Sequence, residues 1–232
     1  MAVSERDVGG VGALADPLRR EIYEFVCGHD GPVSRDLAAD ALAMPRHQAK
    51  FHLDRLEQAG LLDAAYARPD GRGGPGAGRP AKLYQRSARE IAVSLPERDY
   101  ELASRLLAEA IVAVTDATGD DGAAPDLLDA LDDAAAAHGT ALAGTVCAAD
   151  SDLLGAAAAA LEDHGYEPRR DGDRVLLVNC PFHAIAQTHT ALVCRMNHAL
   201  LGAMTEAMEP GLEARLEPGP DRCCVVLAGR GD

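Results

Sequence analysis

The sequence predicts an α+β chain in three parts: an N-terminal winged helix-turn-helix, central helices, and a C-terminal α+β region with two hairpins. Three observations carry this. Residues 1–90 read as helical segments followed by two strand-like segments around a glycine-rich tip. Residues 91–150 hold two apolar-periodic segments separated by GDDGAAP. Residues 151–232 read helix, hairpin, helix, hairpin, and carry four of the six cysteines.

Taking the elements in order, VGALADPLRREIYEFV repeats Leu14, Leu18, Ile22 and Phe25 at helical spacing, and CGHDGPV breaks it. Ser34 is placed to cap a short helix, RDLAADALA. Pro45 suits the first position of a third helix, PRHQAKFHLDRLEQAG, and Gly60 ends it. On that helix Ala49, Leu53 and Leu56 share an inward face, while Arg46, His47, Lys50 and Asp54 lie roughly opposite, with Phe51 at the border. LLDAAYAR and GRPAKLYQR then read as the strands of a hairpin whose tip, RPDGRGGPGAG, is long and basic.

Charge agrees with this division. The net charge of −15 argues against nucleic acid as a partner, but residues 45–89 hold 9 Lys or Arg against 4 Asp or Glu. Phosphate contacts act locally, so a basic face on an acidic chain still suits duplex DNA. Candidate DNA contacts are Ser34 and Arg35, then Arg46, His47, Gln48, Lys50, Phe51 and Arg55 on the third helix, and Arg68, Arg72, Arg79 and Lys82 on the hairpin. ALADPLRREI, FHLDRLEQAGLL and GRGGPGAGRPAKLY, in that order, resemble the winged helix-turn-helix of ArsR-type bacterial regulators over residues 10–90. The resemblance implies a homodimer that reads a near-palindromic double-stranded operator.

The central segment, SLPERDYELASRLLAEAIVAVTDAT, spreads apolar residues over more than one face and is the candidate pairing helix; DLLDALDDAAAAHGTALAGTV follows as a second. The expected domains are therefore 1–90 for DNA, 91–150 for pairing and linking, and 151–232 for sensing. With 47% hydrophobic and 25% charged residues the chain has the composition of a globular protein. No hydrophobic segment follows MAVSERDVGG, and no run approaches the roughly 18 apolar residues that span a bilayer. A cytoplasmic chain is expected, with reduced thiols and no membrane partner, so six cysteines point to metal or redox chemistry.

In the last part, EPRRDGDRVLLVNC reads as a hairpin with its apolar strand ending at Cys180. PFHAIAQTHTALVCRMNHALLGAMTEAM reads as largely helical, and LEARLEPGPDRCCVVLAG as a hairpin whose returning strand starts at Cys223 and Cys224. Thirteen residues separate Cys180 from Cys194 and twenty-eight separate Cys194 from Cys223, far wider than compact zinc knuckles. Separated thiolates of this kind can hold an iron–sulfur cluster. The pattern Cys180-x2-His183 and Cys194-x3-His198 also offers two Cys and two His to tetrahedral zinc. A cluster-free dithiol switch is a third possibility.

NCPFH, the later VC and RCCVVL resemble the C-terminal domain of the SufR subfamily of cluster-sensing repressors. That resemblance implies a [4Fe–4S] cofactor held by Cys180, Cys194 and Cys223, with operator affinity set by the cluster and iron–sulfur assembly genes as targets. The subfamily's remaining cysteine would fall at Met208, leaving Cys224, His183 and His198 as candidates for the fourth position. Adjacent strand residues face opposite ways, so Cys223 and Cys224 are not expected to ligate together. A Cys180–His183 enzyme lacks an evident oxyanion loop or orienting residue, and the reading is non-enzymatic.

Overall fold

The structure is a computed structural model that describes residues 4–67, 80–117, 125–146, 152–208 and 211–230. The chain divides into two compact units, Val3–Val93 and Ser94–Asp232.

The first unit begins with α1 (Glu5–Ala13) and α2 (Pro17–Gly28). The apolar repeat through residues 11–26 predicts one helix, and the structure breaks it in two. Asp16 Oδ1 accepts from the N–H of Leu18 at 3.0 Å and of Arg19 at 3.1 Å. Pro17 has no N–H to give and opens α2, so cap and proline restart the helix although the apolar stripe continues. Next come β1 (Val33–Ser34) and α3 (Arg35–Ala41), whose Leu37 N–H is capped by Ser34 Oγ at 3.1 Å. Pro45 stands at the N-cap of α4 (Arg46–Gln58), one place outside the position expected for it.

β2 (Leu62–Ala67) and β3 (Ala81–Arg86) form the expected antiparallel hairpin, with Leu62 opposite Arg86 and Ala67 opposite Ala81. β1 adds to the far side of β3, Val33 facing Tyr84, which gives a three-stranded sheet ordered β1-β3-β2. Ile22, Val33, Ala49, Leu53, Leu56 and Tyr84 close the core beneath it. The inward face expected for the third helix is the one the structure buries.

The second unit contains α5 (Tyr100–Ala117), α6 (Leu127–Ala143), α7 (Leu153–Glu162), β4 (Pro168–Asp171), β5 (Arg174–Leu177), α8 (His183–Thr188), α9 (Thr190–Met208), β6 (Leu212–Leu216) and β7 (Val225–Gly229). The two expected hairpins join through β5 and β7 into one antiparallel sheet ordered β4-β5-β7-β6. The helix expected from residue 181 onward breaks at His189, between α8 and α9. β7 begins only at Val225, so Cys223 and Cys224 precede the strand and are not bound by its alternation of faces.

α5 and α6, the candidate pairing helices, belong to this unit. Leu106, Ala110, Leu131 and Ala135 share one buried cluster with Met196, Leu200 and Met204 of α9. Ile111 and Val112 lie exposed on α5. Backbones meet where α6 crosses α9: a Cβ added to Gly139 would overlap the Leu200 carbonyl. We expect Gly139→Ala to destabilise the unit by about 1–3 kcal/mol in urea unfolding, through overpacking. Gly202→Ala, on α9 with open space around it, should instead be neutral or stabilising by about 0.5–1 kcal/mol.

Candidate nucleic-acid interface and thiol site

α4 turns Ala49, Leu53 and Leu56 inward and leaves Arg46, His47, Lys50, Phe51 and Arg55 exposed, with Gln48 half-buried. The Arg55 guanidinium lies 5.6 Å from the centre of the Phe51 ring, so a cation and an apolar plane are presented together. Arg35, also exposed, and Arg46 both pair with Asp36, at 3.6 and 3.3 Å. Ser34 Oγ is occupied as the cap of α3. Arg68, Arg72 and Arg79 lie outside the described residues.

Asp54 is the hub of this face. Its carboxylate accepts from Lys50 Nζ at 2.7 Å, Lys82 Nζ at 2.9 Å and the Tyr84 hydroxyl at 2.6 Å. Lys82 also reaches Glu57. These bonds stitch α4 to β3, and they engage the Lys82 ammonium within the protein. Burial pushes the Asp54 carboxyl up, but the hydrogen bonds from Lys50, Tyr84 and Lys82 outweigh it and hold the group well below the usual carboxylate range. Asp54 lies on the face of α4 opposite the core, and its i,i+4 spacing from Lys50 is the sequence signal of this hub.

In the second unit, Cys180 follows β5, Cys194 lies in the first turns of α9, and Cys223 and Cys224 lead into β7. All four line a cleft of about 190 Å³, with His183 and Arg222 beside them. The hydrogen bond that Cys180 gives to Cys223, and then burial, raise the Cys180 thiol far above its ordinary value. Cys223 is favoured as a thiolate by that same bond, yet its bond to Cys224 and its burial push it up to about 12. Burial also raises Cys194.

Cys223, 1% exposed, has a donor of its own. The amide Nδ2 of the fully buried Asn197 donates to Cys223 Sγ at 3.1 Å, and the buried Tyr166 hydroxyl donates to Asn197 Oδ1 at 2.5 Å. Neither Asn197 nor Tyr166 was found from the sequence, although an asparagine within the Met196–Met204 stripe of α9 was the available signal.

The histidines are placed differently. His198 Nε2 lies 3.1 Å from the Ala214 carbonyl, and the exposed His183 has its Nε2 3.0 Å from Gln187 Nε2. Among the described residues, no three His, Cys, Asp or Glu side chains are gathered around one point as a single metal ion requires. Met208 is half-buried at the end of α9, where it packs against the core, and does not line the cleft.

Two measurements follow from these networks. Asp54→Asn should cost about 1–3 kcal/mol at pH 7 by removing charged acceptors of buried donors. Because the folded carboxyl titrates below its unfolded value of about 3.9, the stability it contributes is complete above that pH. The gap between wild type and variant should therefore narrow as pH falls below about 4. Asn197→Ala leaves the Tyr166 hydroxyl without its acceptor and removes one donor from Cys223, and should lower urea-unfolding stability by about 1–3 kcal/mol.

The family model of a helix-turn-helix domain matches residues 14–63, which covers α2, α3 and α4 and ends in β2. No curated protein and no solved structure matches the chain. No helix among the described residues is long and apolar enough to cross a membrane. A capped α3, a tight turn, and an α4 that presents Arg46, His47, Lys50 and Arg55 outward are the working parts of that domain. The first unit is a helix-turn-helix domain, and the chain that carries it is a DNA-binding transcription regulator.

Proposed function

We propose that the chain is a non-catalytic repressor that binds a near-palindromic operator as a homodimer, with its affinity governed by a [4Fe–4S] cluster in the second unit. The observation that carries the sensing half is the convergence of four separated cysteines on one cleft. Cys180, Cys194 and Cys223 are assigned as ligands, and Cys224 takes the fourth position because it lines the same cleft before β7 begins.

The donor set suits such a cluster. Burial and neighbouring groups raise the Cys180, Cys194 and Cys223 thiols, and bound cationic iron would compensate the charge of their thiolates. When bound, the cluster supplies that compensation and a redox-sensitive link between segments. Asn197 holds Cys223 toward the cleft, and the side chains of α4 make the DNA contacts: Arg46 and Lys50 to phosphates or guanine edges, Phe51 to a thymine methyl. The resemblance to SufR-type repressors supports iron–sulfur assembly genes as targets.

A dithiol switch, in which the four free thiols of the cleft oxidise in pairs, is the second reading. Each pair would lose two electrons and two protons to an oxidant such as a peroxide, which is reduced to water as the disulfide forms.

Duplex binding under anaerobic conditions separates these readings. The reconstituted protein should bind a duplex, selected by it from a randomised pool, about tenfold or more tightly than apo protein, within the usual range of coupled sites. Arg46→Ala and Lys50→Ala should each weaken binding and flatten its salt dependence. Equal affinity of reconstituted and apo protein, with peroxide alone changing it, would support the thiol switch instead.

A further inference from the structure

The chain has two asparagines, Asn179 and Asn197, and both are buried beside the thiols. Asn197 holds Cys223; Asn179, next to Cys180, holds a different partner. Its Nδ2 donates to the Glu97 carbonyl at 2.9 Å and to the Gly165 carbonyl at 2.5 Å, while its Oδ1 accepts from Arg98 Nη1. The same Arg98 nitrogen donates to the Cys180 carbonyl at 3.2 Å. One residue on, the Asp99 N–H donates to the Pro181 carbonyl at 3.1 Å, and Asp99 Oδ1 accepts from the Leu102 N–H at 2.8 Å at the start of α5. Gly165, at φ +76°, packs within the same sandwich: a Cβ there would lie 3.2 Å from Glu97 Cγ and 3.6 Å from Pro181 Cβ.

Segment 97–99 is the covalent lead from the first unit into α5. It is thus bonded along its length to residues 179–181, the loop that carries Cys180. Two of these bonds end on backbone carbonyls of the loop, those of Cys180 and Pro181, so they are sensitive to where its main chain lies. Cys180 joins both sides in one residue: its sulfur lines the thiol cleft and its carbonyl is held by Arg98. A sulfur pulled into or released from the cleft shifts that carbonyl through a single Cα.

We propose that Arg98 and Asn179 are positioning residues that couple the state of the Cys180 sulfur to segment 97–99, and so carry the signal toward the DNA-binding unit. The inference rests on the reading of the thiol site given above. Coupling of this kind is limited by the difference in clamp stability between the two states of the loop.

The test uses the full chain and a duplex selected by reconstituted wild type. Arg98→Ala should keep the iron and sulfide content of wild type, while the affinity ratio between reconstituted and apo protein falls from about tenfold or more to within about twofold. A full ratio in Arg98→Ala at equal iron content overturns the proposal. Should Arg98→Ala fail to load iron, hydrogen exchange at the Asp99 amide of wild type decides: slower exchange in reconstituted than in apo protein supports the clamp, and equal rates overturn it. If wild type itself takes up no iron, the cluster reading fails separately. The Asp99 amide is then compared before and after N-ethylmaleimide blocks the thiols. Altered exchange there keeps the clamp, and unchanged exchange removes it.

Discussion

Thiols brought together away from water resist ionisation twice over, because each loses solvation and each neighbour's negative charge repels the next. In this chain Cys180, Cys194, Cys223 and Cys224 line one cleft, and the thiols of Cys180, Cys194 and Cys223 are raised above their ordinary values. Inert core cysteines can be dispersed; four arriving from three separate segments require the sheet, α9 and two loops to agree on one place. Much of the second unit's architecture serves that agreement. β5 and β7 pair so that the segments leading from one and into the other meet, and the Cys223 N–H donates to the Leu177 carbonyl at 2.8 Å. α9 brings Cys194 from the other side while its Met196–Leu200–Met204 face is sealed in the core.

Polar groups buried beside the cleft are matched to it. Tyr166, Asn197 and Cys223 form a chain in which each donor has one acceptor, and the phenol orients the amide so that its N–H meets sulfur. Such a chain is stabilising only when complete, and it specifies a rotamer for each member. The first unit uses the same logic with charge: Asp54 collects Lys50, Lys82 and Tyr84, fixing α4 against β3 while leaving Arg46, His47 and Arg55 outward. Helix α4 and the Cys223 segment are thus each held by a small polar network.

How much of this was legible in the sequence depends on the range of the interaction. The faces of α4 and the β2–β3 hairpin were readable, because periodicity and turn residues act locally. The break at Asp16–Pro17 was missed since the apolar stripe from Leu14 to Leu18 runs across it, and the cap outweighs the stripe. The convergence of Cys180, Cys194 and Cys223 on one cleft was anticipated from spacing and resemblance. The returning strand expected to start at Cys223 starts two residues later, at Val225, so strand alternation does not apply to Cys223 and Cys224. The β5–β7 pairing, the Asn197 amide and the Arg98–Asn179 bonds join residues far apart in the chain, and no local pattern encodes them. Two asparagines in 232 residues, both beside cysteine-bearing segments, were the trace they left.

The central claim is that the four-thiol cleft holds an iron–sulfur cluster. Its most direct test is the iron and acid-labile sulfide content of anaerobically reconstituted full-length protein, read with its visible absorbance. The account predicts about four irons and four sulfides per chain with a broad visible band, as a [4Fe–4S] centre requires. It also predicts that Cys180→Ser, Cys194→Ser, Cys223→Ser and Cys224→Ser each lose most of that band. Colourless protein without iron or sulfide, or a Cys224→Ser variant that loads like wild type, would contradict the cluster or its fourth ligand respectively.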